Sequence, residues 1–252
     1  FNGRHCRRDM GCWWIEKDGH PISPEVQRNE YEIAGVSGSI LMDGATRKGL
    51  TFSGTLVMAQ EPATQTEAQD KLRALMAWLD CGRQRLIFDY EPGRYYLAQV
   101  DKGTTWSLKN WFGGETSVTF TAQPFAYALA AQTGTTITDG TTGDVTVQVE
   151  TFHPAPLVLT IQNTGSAPIT GINIMGGRVK LSGMALAAGK QLTINMEAPI
   201  DAQDGAGTSY LPYAESFTPI LLNAGLQRIP IALTYASGSA GAKITASVRG
   251  RW

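Results

Sequence analysis

The sequence predicts a mainly β protein of two domains: an amino-terminal β-sandwich or split barrel with one α-helix, and a carboxy-terminal β-sandwich of the jelly-roll type. Short runs of alternating apolar and polar residues fill most of the chain, which is the pattern of half-buried strands. The 28 Gly and 12 Pro residues leave little room for long helices. A chain of 252 residues also exceeds the usual size of one domain. We therefore expect domains at residues 1–128 and 129–252.

The expected boundary lies where the composition changes. The second half of the chain holds fewer charged residues and more Thr, Gly and Ala than the first. Residues 128–143 (ALAAQTGTTITDGTTG) are small, polar and rich in Gly and Thr. Such a segment predicts a linker, or a linker that runs into an edge strand.

One helix is predicted, near residues 64–80. Thr64 precedes Glu67 by three residues, which is the spacing of a capping box, where each side chain accepts the other residue's backbone N–H. Gly82 is expected to end the helix in a left-handed conformation. The apolar stripe repeats every three or four residues: Ala68, Leu72, Leu75 and Leu79. The side chains expected to face solvent are Asp70, Lys71 and Arg73.

Strands are predicted on both sides of this helix. Two hairpins follow it, one around Glu91-Pro92-Gly93 and one around Gly113-Gly114, because such residues suit tight turns. The strands predicted in the first domain are residues 31–36, 51–58, 86–90, 94–100, 104–112 and 115–121. Those in the second are residues 145–149, 157–161, 169–174, 191–196, 228–234 and 242–248. Short strands at this spacing are typical of a sandwich or jelly roll.

Composition excludes several classes of protein. The net charge is −1, so the chain lacks the excess of Lys and Arg that binding to nucleic acid requires. A hydrophobic content of 42% excludes a disordered chain, and no apolar run is long enough to predict a membrane span. Three cysteines, an odd number, provide no disulfide framework. Because Arg4, Arg7 and Arg8 stand where a secretory signal would be apolar, we expect synthesis in a reducing cytoplasm without a cleavable leader.

A metal site is one candidate, because four possible ligands lie close together in the sequence: His5, Cys6, Cys12 and His20. Zinc ligands usually come in pairs spaced by two to four residues. Here the two cysteines are too far apart for that rule, and His5 is adjacent to Cys6. The sequence therefore predicts no metal or cofactor, and a surface histidine beside small buried thiols.

Carboxylate pairs are the next candidates for chemistry. Asp89 with Glu91, or Asp201 with Asp204, could serve a glycosidase, and the second pair could contribute to a calcium site. Both pairs lie at predicted turns, where Asp and Glu side chains cap backbone amides. His153 precedes a proline and is expected to be a solvated loop residue. We predict no catalytic residues and no enzyme, with a glycosidase as the enzyme alternative.

Aromatic residues crowd the first domain. They include Trp13, Trp14, Tyr95, Tyr96, Trp106 and Trp111. Adjacent residues of a strand face opposite sides, so one aromatic of each neighbouring pair is expected in the core and the other at the surface. This pattern suits a sugar-stacking platform or a protein–protein seam equally well.

The order of several segments resembles the distal tail protein family of long-tailed, siphovirus-type bacteriophages. The segments are FNG at residues 1–3, PISP at 21–24, IAGVSG at 33–38, AWL at 77–79, LIFDYEPGRYYLA at 86–98, SVTFTAQPFAY at 117–127, residues 217–225 and RGRW at 249–252. The stretch at 86–98 is similar to the most distinctive part of that family. Cys6, Cys12 and the tandem Trp13-Trp14 depart from it.

The resemblance implies an architectural protein of the virion, part of the baseplate at the tail tip and assembled in the host cytoplasm. Family members form a hexameric ring that joins the tail tube protein above to the tail-tip hub or tail-associated protein below. The first, tail-tube-like domain would form the ring, and the second would be a galectin-like sandwich that projects outward. Tape measure and receptor-binding proteins are further partners that the resemblance implies.

A ring requires heterologous contacts that close by rotation, and a long hairpin can supply one. We predict the seam at the hairpin of residues 104–112 and 115–121. The interface candidates are Trp106, Trp111, Tyr95 and Phe112. The alternative is that both tryptophans are ordinary core residues.

Two other functions stay open at this stage. A carbohydrate-binding module or adhesin for host surface glycans would also use a lectin-like sandwich. Residues 129–252 lack the His-Asn-Arg cluster and the Trp-x-x-Glu pattern of galectin sugar sites, and a lectin-like fold does not imply lectin activity. A tail-like particle, instead of an infectious phage, could also contain such a protein.

Overall fold

The computed structural model describes residues 1–17, 19–32, 34–35, 37–60, 62–101, 106–110 and 113–252, with the backbone alone for residues 29, 39–45, 106–110 and 113. These residues form mainly β structure with one α-helix, which confirms the predicted fold class. The chain divides into two compact units, Phe1–Ala126 and Tyr127–Trp252. None of the helices in this part of the chain combines the length and the hydrophobicity that crossing a bilayer would require.

The first unit is built on one sheet, one helix and a separate ribbon. Its elements are β1 (Cys12–Glu16), β2 (Val26–Glu32), β3 (Ser39–Arg47), β4 (Leu50–Met58), α1 (Gln65–Leu79), β5 (Gln84–Leu86), β6 (Arg94–Val100), β7 (Trp106–Asn110) and β8 (Gly113–Ala128). The sheet has the order β1-β4-β8-β6-β5, and β7 pairs with the start of β8. The strands β2 and β3 form a two-stranded antiparallel ribbon.

Helix α1 begins and ends by contacts that differ in part from the prediction. Thr64 is the N-cap, and its hydroxyl accepts the N–H of Glu67 at 3.2 Å. The Glu67 carboxylate accepts the N–H of Ala63 at 2.8 Å, one residue before the expected partner. The predicted left-handed Gly82 is wrong, because the N–H of the C-cap Asp80 already closes the last helical bond and Gly82 has no positive φ. The side chains that α1 buries are Ala68, Leu75, Trp78 and Leu79, so Trp78 takes the place expected of the half-buried Leu72.

Both predicted hairpins of the first unit are present. Strand β5 pairs with β6, but the strand predicted at residues 86–90 is wrong after Leu86. Two successive turns make the connection: the N–H of Glu91 donates to the carbonyl of Phe88, and the N–H of Arg94 donates to that of Glu91. Strand β7 pairs with β8, as the second hairpin requires.

The strand predicted at residues 31–36 lies earlier in the chain than expected. Strand β2 ends at Glu32, and Ala34-Gly35 form a turn. Ile33 and Val36 lie outside the described residues. Gly35 and Gly38, which follow β2, both have a positive φ, which suits a turn before β3.

The second unit is a two-sheet sandwich. Its strands are β9 (Gln132–Thr138), β10 (Thr142–Val149), β11 (Ala155–Asn163), β12 (Ile169–Ile174), β13 (Val179–Leu186), β14 (Gln191–Asn195), β15 (Asp201–Asp204), β16 (Ala214–Phe217), β17 (Leu221–Leu222), β18 (Gly225–Tyr235) and β19 (Ala242–Val248). The sheets have the orders β10-β18-β12-β13-β16 and β15-β14-β11-β19-β9, with β17 paired to β11. Strands of both sheets bury aliphatic side chains in one shared core.

Alternation explains this core. On β18 the side chains of Ile229, Ile231 and Leu233 are buried, whereas the residues between them are exposed. All six strands predicted in this half are present. Of the two interpretations of residues 128–143, the edge strand is confirmed, because β9 lies at the end of its sheet.

Neighbouring aromatic residues behave differently at the edge and in the interior of the first sheet. On the edge strand β1, Trp13 is 43% exposed and Trp14 is half-buried, as alternation predicts. On the interior strand β6, Tyr95 and Tyr96 are both buried, so the prediction of one exposed partner is wrong there. The ring of Tyr96 packs against Phe52, while the guanidinium of Arg85 covers Tyr95 on the other face.

Candidate functional site

The predicted seam is only partly within the described residues. Trp106 lies on β7, where its backbone is opposite Thr116, and its side chain is not described. Trp111 and Phe112 lie outside the described residues. Tyr95 is buried, with its ring centroid 4.8 Å from the guanidinium carbon of Arg85, which leaves little of it for another subunit to contact. The assignment of these residues to an interface stays a prediction.

The first unit carries a cleft of about 810 Å³ with an apolar floor. Helix α1 supplies Trp78 to this floor, β1 supplies Trp14 and β8 supplies Phe120. The Trp78 indole N–H donates to the carbonyl of Phe1 at 2.9 Å, and the Phe1 ring packs 5.0 Å from that of Phe120. The volume is in the range of about 300–1,000 Å³ that is typical of ligand sites.

Four arginines surround this floor, namely Arg4, Arg7, Arg8 and Arg85. The guanidinium of Arg7 stacks 3.9 Å from the ring centroid of Trp13, and Arg8 is paired with Asp9 at 2.8 Å. One carboxylate, Asp89, lines the cleft, 3.2 Å from the ring of His5. The rim therefore carries an excess of positive charge.

The amino-terminal histidine and cysteines make structural contacts. Nδ1 of His5 accepts the N–H groups of Arg7 and Arg8 at 3.1 and 3.2 Å, so Nε2 is left to donate to Asp89. Burial raises the pKa of the Cys6 thiol, and it raises the pKa of Cys12 to about 11. Both cysteines are therefore thiols near neutral pH, whereas metal ligation requires the thiolate. Among the residues described, no three His, Cys, Asp or Glu side chains are grouped so that they could hold a metal ion.

His20, which the sequence grouped with these residues, belongs to a different cluster. Its Nδ1 lies 3.0 Å from a carboxylate oxygen of Glu16 and 2.7 Å from the hydroxyl of Tyr90. Its Nε2 lies 3.4 Å from the hydroxyl of Tyr96. The rings packed around it are Phe52, Phe88, Tyr90 and Tyr96. The cluster fixes the connection between β5 and β6 against β1.

The carboxylates weighed for a glycosidase have separate partners. Asp89 contacts His5, whereas Glu91 accepts hydrogen bonds from Arg94 at 2.7 Å and from the hydroxyl of Tyr96 at 3.1 Å. Burial, and then the Glu91 charge, raise the pKa of Tyr96. Each carboxylate of this pair is therefore held by its own neighbours.

Of the other polar candidates, Asp201 and Asp204 are the first and last residues of β15, and His153 lies in a connection. Asp204 has the predicted turn role, since its Oδ1 accepts the N–H groups of Ala206 and Thr208 at 2.9 and 2.8 Å. These hydrogen bonds lower the pKa of Asp204. Asp201 was wrongly placed in a turn and lies in β15. His153 is half-buried, and its backbone forms a bridge with Arg251.

The arginine-rimmed cleft was not predicted from the sequence. Its lining comes from the amino-terminal segment and from β1, β4, α1, β5, the β5–β6 connection and β8. No local motif joins these segments. The grouping of Arg4, Arg7 and Arg8 near the tandem tryptophans is a local signal of this positive rim.

Solved structures of phage tail proteins share this fold, although no protein-family model and no curated protein sequence matches the chain. The SPP1 Dit protein, described as a paradigm of the hub adsorption apparatus in Gram-positive-infecting phages, is similar with a TM-score of 0.65 and 12% identity, over 94% of this chain and 98% of that chain. A chain of the phage P2 baseplate in its activated conformation with Ca is similar with a TM-score of 0.50 and 8% identity, over 95% and 90% of the two chains.

The chain therefore shares the fold of the SPP1 Dit protein, and this likeness extends over nearly the full length of both chains. The resemblance to distal tail proteins that the sequence indicated is confirmed at the level of the fold.

Proposed function

We propose that this chain is a structural component of a phage tail tip, a distal tail protein of the virion baseplate. In this proposal it assembles in the host cytoplasm into a hexameric ring that joins the tail tube to the tail-tip hub or tail-associated protein. The observation that carries the proposal is the similarity to the SPP1 Dit hub protein over 94% of this chain and 98% of that chain. Because the similarity includes both units, the proposal concerns the whole chain.

The two units would have different tasks. The first unit, with its extended ribbon and the β7–β8 hairpin, would form the ring. The second unit would be the galectin-like domain, and its sandwich core is complete without residues of the first unit. Its outer face would be available to receptor-binding components, and the tape measure protein is a further expected neighbour of the ring. This role requires stable contacts and no chemical reaction.

The oligomeric state of the purified full chain tests the proposal. Native mass spectrometry should give a mass six times that of the single chain, and negative-stain images should show a ring with a central channel. A monomer that binds host-surface glycans or hydrolyses a polysaccharide would overturn the proposal.

The predicted seam needs a separate variant. Trp106→Ala should reduce the fraction of chain in rings, because an aromatic anchor at an interface centre often contributes about 2 kcal/mol or more. Tyr213→Ala, which removes a 43% exposed aromatic from the second unit, is the matched control. Rings that form equally well with both variants would leave the ring in place and remove Trp106 from its interface.

A further inference from the structure

The β2–β3 ribbon is exposed on the described part of its surface. Its two strands pair with each other, and among the described residues no third strand joins them. Every side chain described on these two strands is exposed. A two-stranded ribbon in water is at best marginally stable, so a ribbon of this length is expected to pack against a partner.

The end of β2 has a distinctive chemistry. Tyr31 is 59% exposed, and Glu30 and Glu32 on either side of it are exposed as well. Successive side chains of a strand point to opposite faces, so the phenol projects from one face and the two carboxylates from the other. A ribbon that enters a cleft contacts the cleft through both faces.

The arginine-rimmed cleft offers the complementary chemistry. Its floor is aromatic, and among the described residues Arg4, Arg7 and Arg85 have no carboxylate within the 4.0 Å of a salt bridge. Arg8 is paired with Asp9, and Asp89 is engaged by His5. A concave apolar surface with a positive rim attracts a segment that combines an aromatic side chain with carboxylates.

We propose that the end of β2 in one copy of the chain docks in this cleft of the next copy. The phenol of Tyr31 then lies over the aromatic floor, and the carboxylates of Glu30 and Glu32 meet the guanidinium groups of Arg4 and Arg7. This inference rests on the proposed ring. Because the ribbon and the cleft are different surfaces of one chain, their contact is heterologous and repeats from subunit to subunit, as a closed ring requires.

A second copy of the chain is the partner that best fits the cleft. The acidic, aromatic strand end and the basic, aromatic cleft occur once each in every copy, so each cleft has one ribbon available. The net charge of the whole chain is only −1, so attraction between copies must come from local patches of opposite charge.

Charge reversal in the full-length chain tests the contact. The cleft variant is Arg4→Glu/Arg7→Glu, the strand variant is Glu30→Lys/Glu32→Lys, and the third protein combines all four substitutions. Lys71→Glu/Arg73→Glu on the solvent face of α1 is the control, because it changes the charge equally outside the cleft. The measured quantity is the protein concentration at which half of the chain is in rings, by native mass spectrometry.

Each reversed pair alone should raise that concentration by at least about tenfold, since like charges then meet at a buried contact. The combined protein should recover most of the loss, which a misfolded single variant could not do. The control should assemble like the wild type.

Three outcomes would overturn the inference. If the wild-type chain forms no ring, the proposed function fails together with the contact. If the wild type and both reversed variants assemble equally, the ring stands and the contact is wrong. If the cleft variant alone fails and the combined protein does not recover, the cleft binds an acidic partner other than β2.

Discussion

Gly54 on β4 lies directly under the indole ring of Trp14 on β1, so closely that a methyl group at position 54 would overlap the ring. The two strands are antiparallel, with Trp14 opposite Leu56 and Gly54 opposite Glu16. The φ angle of Gly54 is not positive, so glycine is required by space and not by backbone conformation. The indole also packs edge-on against Phe120, 5.5 Å between ring centroids, which joins three strands of the sheet.

Gly54→Ala should therefore destabilise the first unit. Overpacking of this kind costs about 1–3 kcal/mol in free energy of unfolding, measured by urea denaturation. Gly82→Ala is the matched control, because a methyl group there meets no atom within 4 Å and φ is ordinary. Equal stability of the two variants would show that Trp14 does not pack on Gly54.

Asn163 is fully buried in the second unit and satisfies three backbone groups. Its amide donates to the carbonyls of Ala167 and Leu186, both at 2.9 Å, and its oxygen accepts the N–H of Gly165 at 3.1 Å. Asn163→Ala should lower the free energy of unfolding by at least about 2 kcal/mol, since each of the two carbonyls costs about 1–3 kcal/mol when it is left unpaired, whereas the N–H of Gly165 also donates to the carbonyl of Gly241.

The control for this prediction is Asn195→Ala, which removes comparable hydrogen bonds at a partly exposed site. Water can replace those bonds, so a much smaller loss is expected. Similar losses for the two variants in urea denaturation would contradict the special role of Asn163.

The start of α1 depends on one hydroxyl. Thr64→Ala removes the acceptor for the N–H of Glu67 and should cost about 0.5–2 kcal/mol in free energy of unfolding. Thr66→Ala, two residues later and exposed, should be neutral or slightly stabilising because alanine favours the helix. Thermal denaturation followed by circular dichroism compares the two, and a Thr64 variant as stable as the Thr66 variant would count against the cap.

Tyr96 should make the stability depend on alkaline pH. Burial raises its pKa in the folded chain above the value of about 10 in the unfolded chain. The stabilisation is therefore fully present below pH 10 and is lost as the pH rises through the folded pKa. Tyr96→Phe should lower the free energy of unfolding at pH 7, because the hydrogen bond to Glu91 is lost. Between pH 7 and pH 11, however, the variant should lose less free energy of unfolding than the wild type.

Urea denaturation at the two pH values measures this difference. Tyr213→Phe, at a residue that is 43% exposed, serves as the control and should follow the wild type. Wild-type and Tyr96→Phe curves that shift in parallel between pH 7 and pH 11 would refute the prediction.

The features that the sequence could predict are those with local signals. Helix α1 is located to within a residue at each end by two signals. These are the capping-box spacing of Thr64 and Glu67 and the apolar stripe of the residues that follow. The six strands that were predicted in the second unit follow from alternation alone. Strand β13 was not predicted because a register irregularity and the positive φ of Gly183 interrupt its alternation.

The remaining features depend on contacts between distant residues. Residues 87–90 alternate like a strand, yet Phe88 and Tyr90 leave the sheet to stack on each other beside His20. The cleft likewise joins segments as distant as Arg4 and Phe120, so no sequence window contains it. Burial of Tyr95 depends on the placement of Arg85, which the sequence does not reveal.

The position of β19 has a consequence for synthesis of the protein. This strand lies between β11 and β9 in its sheet and pairs with both, although it follows every other strand of the second unit in the sequence. Until Ala242–Val248 has emerged from the ribosome, β9 lacks its partner in this sheet and β11 has β14 beside it but not β19. The second unit is thus expected to close only after these residues have been synthesised, so a nascent chain stalled before residue 242 would still be sensitive to protease.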